Sequence, residues 1–131
     1  MVEVHGWITL RETYEVTDEE NLEMILRQVN DEIEKLKYSN LQIKRVNGEC
    51  FIEILLCTNH MSSDVKEVIS FYEIVGKVAK GSYGLLYMHN DEDKDSYNDF
   101  MVYRLARGRV EIYRDNLLSP LVPIIEDEDF S

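Results

Sequence analysis

Along residues 2 to 13 apolar and polar positions alternate. Val2, Val4, Gly6, Ile8 and Leu10 fall on one side, and Glu3, His5, Trp7, Thr9 and Arg11 on the other. A two-residue period is that of a strand with one face on a core. The period then changes: Leu22, Ile25, Leu26, Val29, Ile33 and Leu36 recur at helical spacing, and Thr17 with Glu20 has the capping-box form, so a helix is expected over residues 18–37. Leu41 and Ile43 begin a second strand. Asn47-Gly48 is a strong two-residue hairpin signal, and residues 49–58 form a third strand with Cys50, Ile52, Ile54 and Leu56 on one face. Ser62 or Ser63 can cap a second helix, whose stripe is Val65, Val68, Ile69, Tyr72, Val75 and Ala79 and which stops at Gly81. Gly76 inside it permits close packing.

Three further strands are expected at Tyr83–His89, Phe100–Ala106 and Val110–Tyr113, the last two joined through Arg107-Gly108-Arg109. The order β-α-β-β-α-β is a ferredoxin-like start, here followed by a C-terminal β-hairpin. It predicts an α+β fold with a mostly antiparallel sheet and two helices on one face. After Tyr113 regular periodicity is lost, and Pro120 and Pro123 make residues 114–131 an irregular, extended arm.

Length and composition narrow the reading. A chain of 131 residues with 44% hydrophobic positions is sized for one domain, 1–131. Such a chain buries roughly two-thirds of its unfolded surface without a metal or disulfide staple. The N-terminus has no basic segment followed by an apolar one, and no apolar run reaches membrane-spanning length, so a cytoplasmic location is expected. The net charge of −12 argues against direct binding to nucleic acid, whose phosphates need a basic stripe, and favours basic partners.

Candidate chemistry is sparse. Cys50 and Cys57, seven residues apart on one strand, would face opposite sides about 23 Å apart. They can share neither a disulfide nor a metal, and are expected to be buried, inert thiols. His5, His60 and His89 lack metal-ligand spacing, so no metal is expected. Asp91, Asp93 and Asp95 imitate the start of an EF-hand loop, but Ser96 stands where glycine is needed and Val102 where the bidentate Glu belongs. This run is instead a solvated hairpin tip or a partner-binding loop. Gly81-Ser82-Tyr83-Gly84 lies between a helix end and a strand, the reverse of a phosphate-cradling loop, and no serine has a nucleophile-elbow context. No cofactor and no catalysis are expected. Trp7 lies opposite the aliphatic row, where packing and an interface are both open to it. Eight tyrosines outnumber four phenylalanines. Tyr83, Tyr87, Tyr97, Tyr103 and Tyr113 concentrate in the C-terminal half, a composition suited to an interface.

Several separated motifs occur in a matching order: His5-Gly6-Trp7, Lys80-Gly81-Ser82-Tyr83-Gly84-Leu85-Leu86-Tyr87, the acidic stretch after His89, and Asp115 with Leu118-Ser119-Pro120 and Pro123 through Asp127. Together, over nearly the whole chain, they resemble the immunity protein 7 family. Its members are small cytoplasmic bacterial proteins encoded beside polymorphic toxins, so the resemblance implies that this chain binds and neutralises a cognate toxin domain. It implies neither the toxin's identity nor a set of contact residues.

Charge reasoning supplies those contacts. An acidic surface suits a basic toxin, such as a nuclease whose phosphate-binding region carboxylates would occupy. Asp91, Glu92, Asp93 and Asp95 are expected to bind, because helix dipole and intrahelical pairing account for several of the helix glutamates whereas these four have no such local duty; Glu126 and Asp127 extend the acidic set. Trp7, Tyr87 and Tyr97 are the candidate interface aromatics. The alternative is an enzyme or small-ligand binder with a pocket under the C-terminal arm, using His89, Asp115 and nearby tyrosines.

Overall fold

A computed structural model describes residues 1–13, 19–36 and 41–121. Among them the elements run β1 (Val2–Leu10), α1 (Glu19–Lys35), β2 (Ile43–Val46), β3 (Glu49–Thr58), α2 (Ser63–Val78), β4 (Tyr83–Asn90), β5 (Phe100–Ala106) and β6 (Arg109–Asp115). The strands form one six-stranded sheet in the order β2-β3-β1-β4-β5-β6, and every neighbouring pair is antiparallel. This is the α+β architecture that the periodicity predicts, with the final hairpin continuing the sheet beyond β4.

Register decides which face each side chain serves. Val4 lies opposite Leu56 on one side and Met88 on the other, and Leu86 lies opposite Tyr103. These residues and their alternates pack against Ile25, Leu26 and Val29 of α1 and Val65, Val68, Phe71, Tyr72 and Val75 of α2 in one buried cluster. A two-residue period on the strands and a 3.6-residue period on the helices thus meet at a single layer boundary. Both helices lie on that face.

Turns follow the local chemistry. Asn47 and Gly48 have φ of 52° and 80°, and Arg107 and Gly108 have 51° and 73°. Left-handed backbone at both central positions gives the twist that a two-residue hairpin requires. Gly76 of α2 meets the β5–β6 turn backbone to backbone: a Cβ there would lie 3.3 Å from the Cα of Gly108. Close packing at this glycine is therefore real.

Five details differ from expectation. The first strand stops at Leu10, where Arg11 leaves the ladder to pair with Glu49 at 2.9 Å, while its N–H donates to Ser82 Oγ at 3.0 Å. Ser62 occupies the cap position of α2, yet its hydroxyl makes no capping hydrogen bond, and the helix ends at Val78 rather than Gly81. Cys57 is exposed, because it faces away from the helices, whereas Cys50 is buried. Arg114 and Asp115, expected to begin the irregular arm, complete β6. Thr17 of the expected capping box lies outside the described residues.

Candidate functional site

The second face of the sheet carries neither helix. Trp7 stands between Glu53 and Leu85 across the ladders, His5 between Leu55 and Tyr87, and Glu3 between Cys57 and His89. Beyond them Val102 pairs with Tyr87 and with Tyr113. Strand alternation alone puts all of these side chains on the face that the core leaves free. Leu55 is 63% exposed, Tyr83 42% and Trp7 39%, a contiguous set of large apolar groups of the kind that marks interaction sites.

The rings on this face are ordered. Trp7 meets Tyr83 edge-on at 6.0 Å, and the Arg11 guanidinium lies 5.8 Å from the Tyr83 ring. Phe100 is surrounded by His5, Tyr87 and His89 at 6.4, 6.1 and 5.7 Å between centroids. Phe100 is buried although it is absent from the core under the helices. Its cover comes from the segment after β6. Asp115 Oδ1 accepts the N–H groups of Leu117 and Leu118 at 3.1 and 2.8 Å, and Ser119 Oγ accepts the N–H of Phe100 at 2.9 Å and donates to the Asp115 carbonyl. The expected arm is thus, from Asp115 to Ser119, a clamped turn over the start of β5.

Two concavities result. One, of about 440 Å³, is bounded by Glu3, His5, Tyr87, Phe100, Asp115 and the Leu118–Pro120 turn. The other, of about 610 Å³, runs over Trp7, Leu55, Glu53 and Lys44. His5 and Tyr87 line both, so the recesses adjoin across β1 and β4. Within them His5 Nε2 donates to Glu3 Oε2 at 2.6 Å and Lys44 pairs with Glu53 at 3.2 Å. At the far side Tyr113 donates to Glu111 and sits 4.9 Å from the Arg104 guanidinium. The Tyr113 hydrogen bond holds Glu111 below its ordinary pKa and raises that of the Tyr113 phenol.

The β4–β5 loop borders this face. His89 Nε2 donates to the carbonyl of Tyr97 at 2.6 Å, tying the loop to the end of β4. Asp91, Glu92, Asp93 and Asp95 are all exposed. The premise that they lack local duties is wrong for three of them. Asp91 pairs with the Met1 amine at 2.7 Å, and Glu92 accepts from His60 Nδ1 at 2.5 Å. Asp93 Oδ1 accepts the N–H of Asp95 at 3.0 Å. Hydrogen bonds lower the pKa of each: from the Met1 amine for Asp91, from His60 for Glu92, and from the Asp95 N–H for Asp93. The partners of Asp91 and Glu92 are not legible in the sequence because residues 1 and 60 reach the loop only through the fold, whereas the Asp93–Asp95 contact is a local one, two residues apart.

Of the named aromatics, Trp7 and Tyr87 share the open face, and Tyr97 stands exposed in the loop. Glu126 and Asp127 lie outside the described residues. Tyr103 turns to the helix face and is buried. Phe100 and Leu55 were missed, although β3 held a signal: Phe51, Leu55 and Cys57 make its second face apolar as well. Among the described residues no three His, Cys, Asp or Glu side chains converge as metal ligands, and no helix is long and apolar enough to cross a membrane.

The family profile of immunity protein 7 matches residues 1–127. The chain belongs to the immunity protein 7 family. It is thus an immunity protein directed against a toxin, and membership points to an inhibitor that binds its cognate toxin. No curated protein and no solved structure matches this immunity protein.

Proposed function

We propose that this immunity protein neutralises a basic toxin domain, a nuclease, in the cytoplasm of the cell that makes both, by covering the toxin's surface and without catalysing any reaction. The observation that carries the reading is the exposed acidic loop at the rim of an aromatic, helix-free sheet face, on a chain of net charge −12. Carboxylates draw a phosphate-binding surface in, and aromatic area holds it. Asp91, Glu92, Asp93 and Asp95 are the proposed contacts, joined by Glu126 and Asp127 of the tail. The partner is a protein; nucleic acid and membrane are not bound, and no cofactor takes part.

Stoichiometry tests this. With tight affinity, residual toxin activity falls linearly to near zero at one equivalent of immunity protein. A hundredth of an equivalent that progressively abolished activity, or destroyed the toxin's product, would require an enzyme instead. That second reading has a specific place to stand, the 440 Å³ recess beside the C-terminal turn, where His5 is hydrogen-bonded to Glu3 and Asp115 forms the opposite wall. Substoichiometric protection is its signature.

A further inference from the structure

We infer that the helix-free face is the surface on which the toxin docks, and that the recess between Glu3, Tyr87, Phe100 and Asp115 receives a basic side chain of the toxin. The inference rests on the preceding reading and adds to it the place and chemistry of contact. The sheet is covered by helices on one side only, and the uncovered side presents Trp7, Leu55 and Tyr83 to solvent at 39%, 63% and 42%. Isolated exposed apolar residues need no explanation, but a contiguous set over adjoining hollows does.

Three occupants could cover such a face, and charge selects among them. A second copy would bring another net charge of −12 against this one. The chain's own end, Glu126-Asp127-Glu128-Asp129, would bring four more carboxylates to a recess already walled by Glu3 and Asp115. Both are opposed by like-charge repulsion. A basic partner is favoured instead. The recess pairs carboxylates with aromatic faces, Tyr87 and Phe100 edge to face at 6.1 Å, which is the arrangement that holds a guanidinium or ammonium group through charge-assisted hydrogen bonds and cation–π contact. In the adjoining hollow the Lys44 ammonium neutralises Glu53, so that half offers apolar area. In the other half Glu3 meets the imidazoles of His5 and His89, and Asp115 spends one carboxylate oxygen on the Leu117 and Leu118 N–H groups, which leaves more acidic charge on that side. Arginine fits both demands, because its planar group both forks onto carboxylates and stacks on rings. A loop or strand of the toxin with an arginine or lysine next to an apolar residue would fill the two hollows at once.

Trp7 is the only tryptophan in the chain and lies in the apolar hollow, so it reports on this face alone. Full-length protein carrying 5-fluorotryptophan is titrated with the toxin domain encoded beside it, following the fluorine resonance and its exposure to a soluble paramagnetic quencher. Docking on this face shifts the resonance and shields it. Leu55→Lys should weaken affinity about tenfold or more with an unchanged thermal midpoint, and Glu3→Gln should weaken it about tenfold or more in a chain that still folds, while Glu34→Gln on α1 leaves binding unaltered. Tight binding with an unmoved, quencher-accessible Trp7 and full affinity in Leu55→Lys would overturn the inference while leaving the binding function standing. No binding by the unaltered chain would remove the function itself, and this inference with it. A resonance that moves with the protein's own concentration, or on truncation after Leu121, would replace the toxin by a second copy or by the tail.

Discussion

The hydroxyl of Tyr72 on α2 donates to the carbonyl of Leu85 on β4 at 2.9 Å, directly beneath Gly6 of β1. A Cβ at Gly6 would lie 2.4 Å from that hydroxyl and 2.7 Å from Leu86 Cδ1. Gly6 therefore holds its place in the His5-Gly6-Trp7 motif because a helix tyrosine needs the space, and the motif is as much about packing as about contact. Burial pushes the Tyr72 phenol far above its ordinary pKa, so it stays a donor.

Gly6→Ala should destabilise the fold by about 1–3 kcal/mol, the usual cost of overpacking a filled site. Tyr72→Phe should cost about 1–2 kcal/mol through the carbonyl left without its donor. Urea unfolding of the two variants and of the double variant checks this. Because the residues touch, the double variant should fall short of the sum, and strict additivity would count against the packing account.

Association with the toxin should be steered by charge. Raising ionic strength from about 20 mM to about 150 mM shortens the Debye length from roughly 20 Å to 8 Å. The association rate should fall steeply over that range while dissociation changes little. Stopped-flow mixing at several salt concentrations measures both rates, and a salt-independent association rate would exclude the acidic surface as the steering element.

Within the acidic loop the four carboxylates should separate into two kinds. Asp95 bonds through its backbone, whereas the carboxylates of Asp91, Glu92 and Asp93 are engaged within the fold. Asp95→Lys should slow association about two- to tenfold without moving the thermal midpoint. Asp93→Asn should lower the midpoint, because the loop loses the charged acceptor for the Asp95 N–H. A midpoint unaffected by Asp93→Asn would restore the simpler view of four idle surface charges.

Acid should loosen the loop in a defined window. Asp91, Glu92 and Asp93 all have pKa values lowered by the fold, so each contributes stability that is fully present above its unfolded pKa and lost as pH falls through the folded one. The loss belongs below the ordinary carboxylate range of about 4. Thermal midpoints of the parent and Asp93→Asn should accordingly differ at pH 6 and converge as pH falls through and below that range. A gap that widened toward low pH would contradict the sign.

Strand alternation, helix stripes and the Asn47-Gly48 turn depend on near neighbours, which is why the elements and the shared face of the helices could be read from the chain. The candidate site depends on register. Trp7 and Tyr87 stand out by residue type, but their meeting around His5 follows from the β1–β4 pairing, of segments far apart in sequence. Phe100 lies on the face opposite Tyr103 and Leu105 by strand alternation, but that it is buried there follows only from the Asp115–Ser119 turn that covers it. The duties of Asp91 and Glu92 were hidden in the same way, since their partners are brought by the fold from the far ends of other elements.

The central place of β1 also governs how the molecule assembles. Of the six strands β1 is made before the others, yet both its neighbours, β3 and β4, come much later, and β4 follows the whole of α2. The β5–β6 hairpin closes locally, whereas β1 can be seated only after two long loops have closed around it. Until β4 arrives, one edge of β1 has no partner even when β3 is in place. A nascent chain that stops short of Asn90 lacks the second edge, so the face bearing Trp7 and Tyr87 cannot form until β4 has been made.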